Sequence, residues 1–174
     1  PLGFRPGKLN VLGAGIDIAK IDKVKDKEPR DSSVVFFGRL SPSKGVFDLP
    51  KIWPIVLKEI PGVQLILIGM SDDVIVQRLK NEFAKAGVLN TVKFKGFIEE
   101  SQDVYKILKT GKIFILPSYE EGWGIVVFEA IACGLLPVVY DLPVFKEIFG
   151  KNIQAIRLGD VTTFAKTIVK FLID

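Results

Sequence analysis

The 174-residue chain contains no histidine and only one cysteine. Without histidine, the chain itself cannot supply a Ser-His-Asp triad, an imidazole general base or a histidine metal ligand. The single thiol, Cys133, cannot close an internal disulfide, and its position among small residues of a predicted helix indicates a packed core thiol rather than a nucleophile. We therefore expect a cytoplasmic location, and attachment to the cytoplasmic face of a membrane stays open.

The sequence also lacks a long apolar run and any strong excess of one charge. No run reaches the ~18 residues of a membrane span, and no signal peptide is recognisable. The net charge of +4 is mild, and the basic residues form no cluster that would favour nucleic acid. With 48% apolar and 25% charged residues, the composition is that of a globular chain large enough for one substantial core.

From residue 33 onwards, short apolar segments alternate with amphipathic ones. Strands are predicted near 33–37, 63–68, 91–94, 113–116, 136–140 and 153–156. Helices are predicted near 46–59, 72–86, 101–109, 144–149 and 161–173, with another starting at 124 or 125. This alternation predicts an α/β fold, a doubly wound Rossmann-like parallel sheet forming a single domain over 33–174. Residues 1–32 are predicted to be an irregular segment with a short strand at 9–12 and a charged linker over 19–32.

The stretch 113–134 combines a buried strand, a glycine-containing turn and a helix. Amides at the start of a helix attract phosphate, which makes Gly124, Ile125 and Val126 candidate donors. Glu121 in the turn and Glu129 in the helix could both face the same crevice and accept bonds from hydroxyl groups. The pattern favours a sugar nucleotide as ligand. The alternative is two solvated carboxylates beside an ordinary helix start.

Residues 121–129 read EGWGIVVFE and resemble the E-x7-E signature of retaining glycosyltransferases of the GT-B fold, in family 4, the glycosyl transferases group 1. The small-residue helix and the apolar strand at 136–139 extend this resemblance. In that family the signature belongs to the C-terminal, donor-binding domain. The resemblance therefore implies one half of a GT-B fold, with an acceptor-binding domain upstream or on another chain.

The resemblance assigns roles to residues in the predicted loops. It implies that Glu129 holds a ribose, that Glu121 and the loop amides orient the donor sugar, and that Arg39 and Lys44 clamp the diphosphate. Taken alone, Arg39 and Lys44 are two exposed cations before a helix. Glu121 could instead be a covalent nucleophile, although contact with sugar hydroxyls is the favoured role.

Two further loops and Trp123 complete the predicted donor site. Gly69 follows the second strand and leaves space for a nucleoside beside the backbone. Phe97 and Ile98 match the family's nucleobase loop, in which the backbone at Ile98 meets the base. A core role for Phe97 is as plausible as a pocket role, and Trp123 could line the sugar pocket or anchor its loop.

The predicted function is donor binding in a retaining hexosyltransferase. The donor would be a UDP- or GDP-sugar, with ADP also open, and the acceptor a saccharide or lipid-linked sugar. No cofactor and no metal are expected, because the D-x-D pattern of the other major glycosyltransferase fold is absent. The two adjacent acids are predicted to stabilise a helix start instead, Asp72 as its cap and Asp73 as an acid of the first turn. The isolated chain is expected to transfer little or nothing.

Two other functions stay open on the sequence. One is a non-catalytic module that binds a nucleotide sugar, and the other is a GT-B sugar-nucleotide epimerase, for which no additional acid and base groups are apparent. A dinucleotide dehydrogenase is disfavoured because the G-x-G-x-x-G fingerprint fails at Ile18.

Overall fold

The structure is a computed structural model that describes residues 15–25, 30 and 33–174. Its centre is a six-stranded sheet of order β3-β2-β1-β4-β5-β6, in which every neighbouring pair is parallel. The strands are β1 (Val34–Phe37), β2 (Leu65–Ile68), β3 (Val92–Gly96), β4 (Ile113–Leu116), β5 (Leu136–Tyr140) and β6 (Gln154–Ile156). β2 and β4 are buried along their whole length, as expected for strands covered on both faces. The predicted doubly wound sheet is confirmed.

Seven helices accompany the strands in the described part of the chain. They are α1 (Ile18–Asp22), α2 (Leu49–Glu59), α3 (Asp73–Lys85), α4 (Ser101–Leu108), α5 (Ile125–Ala132), α6 (Pro143–Phe149) and α7 (Val161–Ile173). The predicted start of α2 is wrong by three residues. A 3-10 turn at Pro42–Lys44 and the left-handed Gly45 occupy the chain before it, so the α-helix begins only at Leu49.

The charged segment after residue 17 is not a solvated linker throughout. Residues 18–22 form α1, and Ile21 is fully buried among the core residues. Lys109 Nζ donates to the carbonyl of Val24 (2.5 Å), and the guanidinium of Arg30 donates to the carbonyl of Cys133 (2.8 Å). The prediction of a solvated linker followed the many lysines and aspartates of this segment. The three-residue spacing of Ile21 and Val24, however, places two apolar side chains on one helix face, which packs against the core. The strand predicted at 9–12 lies outside the described residues.

The strand order determines where a ligand can bind. The chain builds outwards from β1 to β3 and then crosses back to place β4 beside β1. The strand order therefore reverses between β1 and β4, and sheets of this kind bind ligands beyond the carboxyl ends of the strands at such a switch point. Cys133 is 1% exposed at the end of α5, which agrees with its predicted core role. No helix in the described ranges has the length and apolar character that crossing a membrane requires.

Candidate functional site

Two adjacent cavities open at the carboxyl ends of the strands. The Glu129 cavity, of about 330 Å³, lies between the loops after β1 to β3 and helices α4 and α5. The Glu121 cavity, of about 300 Å³, lies over the start of α5. Both are lined by Gly38, Arg39 and Val126, so the two cavities meet at the loop after β1. All the predicted site residues line one or both: Arg39, Lys44, Gly69, Phe97, Ile98, Glu121, Trp123, Gly124, Ile125, Val126 and Glu129.

Glu121 is held by an ion pair and a hydrogen bond. Its Oε1 lies 2.8 Å from Lys44 Nζ and accepts a hydrogen bond from Ser118 Oγ at 2.9 Å. The Glu121 side chain is 7% exposed and the Lys44 side chain is 25% exposed. Solvent therefore screens this ion pair less than it screens an ion pair on the protein surface. Lys44 Nζ also donates to the carbonyl of Glu120 at 3.1 Å. Lys44 therefore holds both the side chain of Glu121 and the backbone of its loop.

The loop after β1 and the loop after β4 are joined by close backbone contacts. The amide of Tyr119 donates to the carbonyl of Ser43 at 2.9 Å. Gly45 has a left-handed φ of 68°, and a Cβ there would collide with the carbonyl of Pro117. Only glycine combines that backbone conformation with that contact. The two loops are consequently one structural unit, and the relative placement of Lys44 and Glu121 is fixed by backbone contacts.

Arg39 differs from Lys44 because its guanidinium has no ion pair or hydrogen bond with any described residue. Its side chain is exposed and lines both cavities, together with a third, more open one of about 410 Å³ beside Lys44. A guanidinium offers five donors in a planar fork suited to phosphate oxygens. The junction of the cavities therefore presents a guanidinium that has no direct carboxylate partner among the described residues.

The start of α5 supplies backbone donors to the Glu121 cavity. Gly124 is left-handed (φ 63°), and a Cβ there would strike the ring of Phe145, so the turn requires glycine. The first backbone bond of the helix runs from the amide of Val127 to the carbonyl of Gly124 at 2.8 Å. The amides of Ile125 and Val126 precede it and have no backbone acceptor among the described residues. They are free to donate to an anion.

Glu129 lies half-buried at the other end of the crevice. Its Oε1 accepts a hydrogen bond of 2.9 Å from the hydroxyl of Tyr105. Burial raises the pKa of Glu129 above its ordinary value, and the Tyr105 hydrogen bond only partly offsets this. Burial, aided by the bond to Glu129, raises the pKa of Tyr105 to about 12, so the phenol stays protonated and is the donor.

Exposure decides between the two interpretations of Phe97. Phe97 is 67% exposed and Trp123 is 44% exposed, each at the rim of a cavity. Neither ring belongs to the core, so the core interpretation of Phe97 is wrong.

Packing also requires a glycine at position 69, in addition to the predicted space for a ligand, because a Cβ there would collide with the carbonyl of Gly38. Asp72 caps α3 by accepting from the amide of Ile75 at 2.8 Å, as predicted.

Sequence reasoning missed three side chains that support the site. They are Tyr105, which donates to Glu129, Ser118, which donates to Glu121, and Asp48, which binds the hydroxyls of Tyr119 (2.5 Å) and Tyr140 (2.9 Å). Ser118 lies three residues before Glu121, a spacing that could have indicated a local contact. Nothing in the local sequence marks the other two.

A parallel sheet of this order, with helices on both faces and a crevice at the carboxyl ends of its strands, defines the class of doubly wound Rossmann-like domains. Residues 17–174 match the family model "Glycosyl transferases group 1". The chain belongs to this family, and its fold is that of the C-terminal domain of GT-B glycosyltransferases.

Similar proteins agree with this assignment. A GDP-mannose:cellobiosyl-diphosphopolyprenol alpha-mannosyltransferase of Xanthomonas oryzae is 27% identical over 152 residues, which is 87% of this chain and 39% of the relative. The crystal structure of Anabaena HepE in complex with UDP and glucose superposes with a TM-score of 0.78 at 26% identity, covering 99% of this chain and 49% of HepE. The crystal structure of the C-terminal domain of the Francisella tularensis group 1 protein LpcC has a TM-score of 0.73 at 20% identity, covers 93% of this chain and 85% of that domain, and shows the shared fold. The chain spans about two fifths of the length of the curated mannosyltransferases it resembles.

Proposed function

We propose that this chain is the donor-binding domain of a retaining glycosyltransferase that transfers a hexose, such as mannose or glucose, from a nucleoside-diphosphate sugar. The acceptor would be a saccharide or a lipid-linked sugar. The observation that carries the proposal is the pair of cavities that share Arg39, with Glu129 lining one and Glu121 the other. This arrangement suits a ligand with a hydroxylated ring on each side of a diphosphate.

The diphosphate would lie at the junction of the cavities. Arg39, Lys44 and the amides of Ile125 and Val126 would bind its oxygens there. Charge grows on a diphosphate as the glycosyl bond breaks, and donors already in place stabilise that charge without reorganisation. We propose that these groups assist departure of the leaving group and that no metal ion or other cofactor is needed.

The two acids would bind the rings. Glu129 would accept from the ribose, and the Glu129 cavity between Gly69, Phe97 and Ile98 would hold the nucleoside. Glu121 would accept from hydroxyls of the donor sugar next to Trp123 and Gly124. Because Lys44 and Ser118 both bind Glu121 Oε1, this carboxylate is held in place as a positioning group, which favours hydroxyl binding over nucleophilic attack.

The names of the similar proteins mention nucleotides with two different bases. The Xanthomonas relative is named for GDP-mannose, whereas the HepE structure contains UDP and glucose. In this chain the loop at 96–98 would read the base through its backbone. We therefore propose a UDP- or GDP-sugar donor and a second, acceptor-binding domain elsewhere in the protein, acting in the cytoplasm or at the cytoplasmic face of a membrane.

Calorimetric titration of the 174-residue chain with UDP, GDP and ADP tests the proposal. We expect weak binding of at least one diphosphate and little or no transfer by the isolated chain. Arg39→Ala should reduce the affinity about tenfold, because a charge-assisted phosphate contact is lost. Lys166→Ala, which removes the same charge from α7 outside both cavities, should leave it unchanged. Absence of binding to all three nucleotides, or equal effects of the two variants, would overturn the proposal.

A further inference from the structure

Tyr105 is a buried tyrosine whose hydroxyl reaches a ligand cavity. It lies on α4, is 5% exposed and lines the Glu129 cavity together with Ser101 and Val104 of the same helix. Its hydroxyl donates to Glu129 Oε1 across the space between α4 and α5 at 2.9 Å. The bond gives the buried phenol the hydrogen-bond partner it needs, and it also fixes one oxygen of the acid that the proposed function assigns to the ribose.

The hydrogen bond from Tyr105 occupies only one of the two oxygens of the Glu129 carboxylate. Oε1 is bound by Tyr105, whereas Oε2 has no partner among the described residues. Oε2 is also absent from the fully buried polar atoms that lack a hydrogen bond in the described chain, so it keeps access to the cavity. An ionised carboxylate is an acceptor only, and a vicinal diol presents two donors at a fixed spacing.

We infer that Tyr105 is a positioning residue that fixes the Glu129 carboxylate so that its free oxygen accepts from the ribose hydroxyls, and that the Tyr105–Glu129 pair makes the site selective for ribonucleotides over deoxyribonucleotides. Without Tyr105, the glutamate side chain can rotate within its half-buried pocket and loses the geometry that a diol needs. This inference rests on the proposed function and adds a second residue to its nucleoside contact.

The physical basis is the cost of leaving a buried acceptor unpaired. A site built to bind a hydroxyl rejects the analogue without it more strongly than an apolar pocket rejects a missing methylene, because the buried polar group then lacks its partner. Rotation of Glu129 would let the carboxylate turn towards solvent and escape that cost. Removing Tyr105 should therefore reduce discrimination between ribose and deoxyribose, which loss of packing alone does not do.

The experiment compares UDP and GDP with their 2′,3′-dideoxy counterparts, titrated calorimetrically into the 174-residue chain and its Tyr105→Phe variant. The wild-type chain should bind the ribonucleotide at least tenfold more tightly than the dideoxy form. Tyr105→Phe should weaken the ribonucleotide about fivefold to tenfold and change dideoxy binding less than twofold. Tyr140→Phe is the matched control, because that tyrosine also donates to a buried acid but lies outside both cavities; it should leave the ratio unchanged.

The outcomes separate the inference from the proposed function. Equal wild-type affinity for ribo and dideoxy forms would remove the Glu129–ribose contact and with it both proposals. Wild-type discrimination that Tyr105→Phe leaves intact would overturn the role of Tyr105 alone. Equal weakening of both nucleotides by Tyr105→Phe would show a purely structural tyrosine and would also overturn it. Circular dichroism of each variant at the titration temperature establishes that the compared chains are folded.

Discussion

Asp48 is a buried carboxylate and Glu129 a half-buried one, and the two differ in the hydrogen bonds that they accept. Asp48, just before α2, is 5% exposed and accepts from Tyr119, Tyr140 and Lys51. Burial alone would raise its pKa, but the three hydrogen bonds outweigh it, and the net pKa is lowered. Among the described residues Glu129 has one donor, Tyr105, and burial raises the pKa of Glu129. The protein therefore supplies Asp48 with three hydrogen-bond donors, whereas Glu129 lies at a cavity with fewer donors than its carboxylate can accept.

This difference separates structural from ligand-binding acids. A fully satisfied buried carboxylate stabilises the fold and has nothing left to offer a ligand. A partly satisfied carboxylate costs stability in the free protein, and that cost is recovered when a ligand supplies the missing donors. Asp48 also ties α2 to Tyr119, next to the loop that holds Glu121. It therefore supports the site without touching the proposed ligand.

The largest effect is expected at Asp48. Replacing it by alanine leaves the hydroxyl of Tyr140 buried without an acceptor and detaches Tyr119 from α2. We expect Asp48→Ala to lower the free energy of unfolding by about 3 kcal/mol, measured by urea denaturation. A loss below about 1 kcal/mol would contradict the structural role assigned to this acid.

The next effect concerns Glu129. Glu129→Gln should reduce affinity for the nucleoside diphosphate about tenfold, because a neutral amide is a weaker acceptor for hydroxyls. The same change should leave the free energy of unfolding unchanged or slightly raised, since a charged group is no longer buried. Asp48→Asn, the matched amide substitution, should lower the free energy of unfolding. If both amide variants change stability in the same direction, the distinction between the two acids fails.

Removing single donors from Asp48 should have graded effects. Tyr140 is fully buried and Tyr119 is 43% exposed. We expect Tyr140→Phe to cost about 1 kcal/mol and Tyr119→Phe clearly less, because water can replace only the exposed hydroxyl. Thermal unfolding of the two phenylalanine variants provides the comparison, and a larger loss from Tyr119→Phe would reverse the proposed ranking.

The smallest effects are those of pH. The lowered pKa of Asp48 means that its contribution is fully present above its ordinary value of 3.8 and is lost only as pH falls through the lowered pKa. The raised pKa of Glu129 means that its cost is absent below its ordinary value of 4.5 and grows as pH rises through the raised pKa. Between pH 7 and pH 4, the stability gap between Glu129→Gln and wild type should therefore shrink, whereas that between wild type and Asp48→Asn should mostly persist. Urea denaturation at both pH values measures both gaps.

The order of elements and the loops that carry the candidate site could be predicted from the sequence. Apolar runs and glycines mark strands and turns locally, and parallel strands bring the loops that follow them to one edge. Glu121 and Glu129 could be proposed in this way, because one lies in the turn after a predicted strand and the other in the helix that follows it, whereas the role of Arg39 depended on the family resemblance. The helix at 18–22 was missed because charged residues dominate the longer segment in which it begins.

What the sequence by itself determined is the succession of strands and helices and the placement of Arg39, Lys44, Glu121 and Glu129 on loops or helix starts, because backbone propensity and apolar spacing are local properties. Only the tertiary structure decided which acids are satisfied. Tyr105 lies 24 positions from Glu129 and Tyr140 lies 92 positions from Asp48. Such contacts depend on strand order and on how far apart packed elements lie, and no short window of residues contains that information.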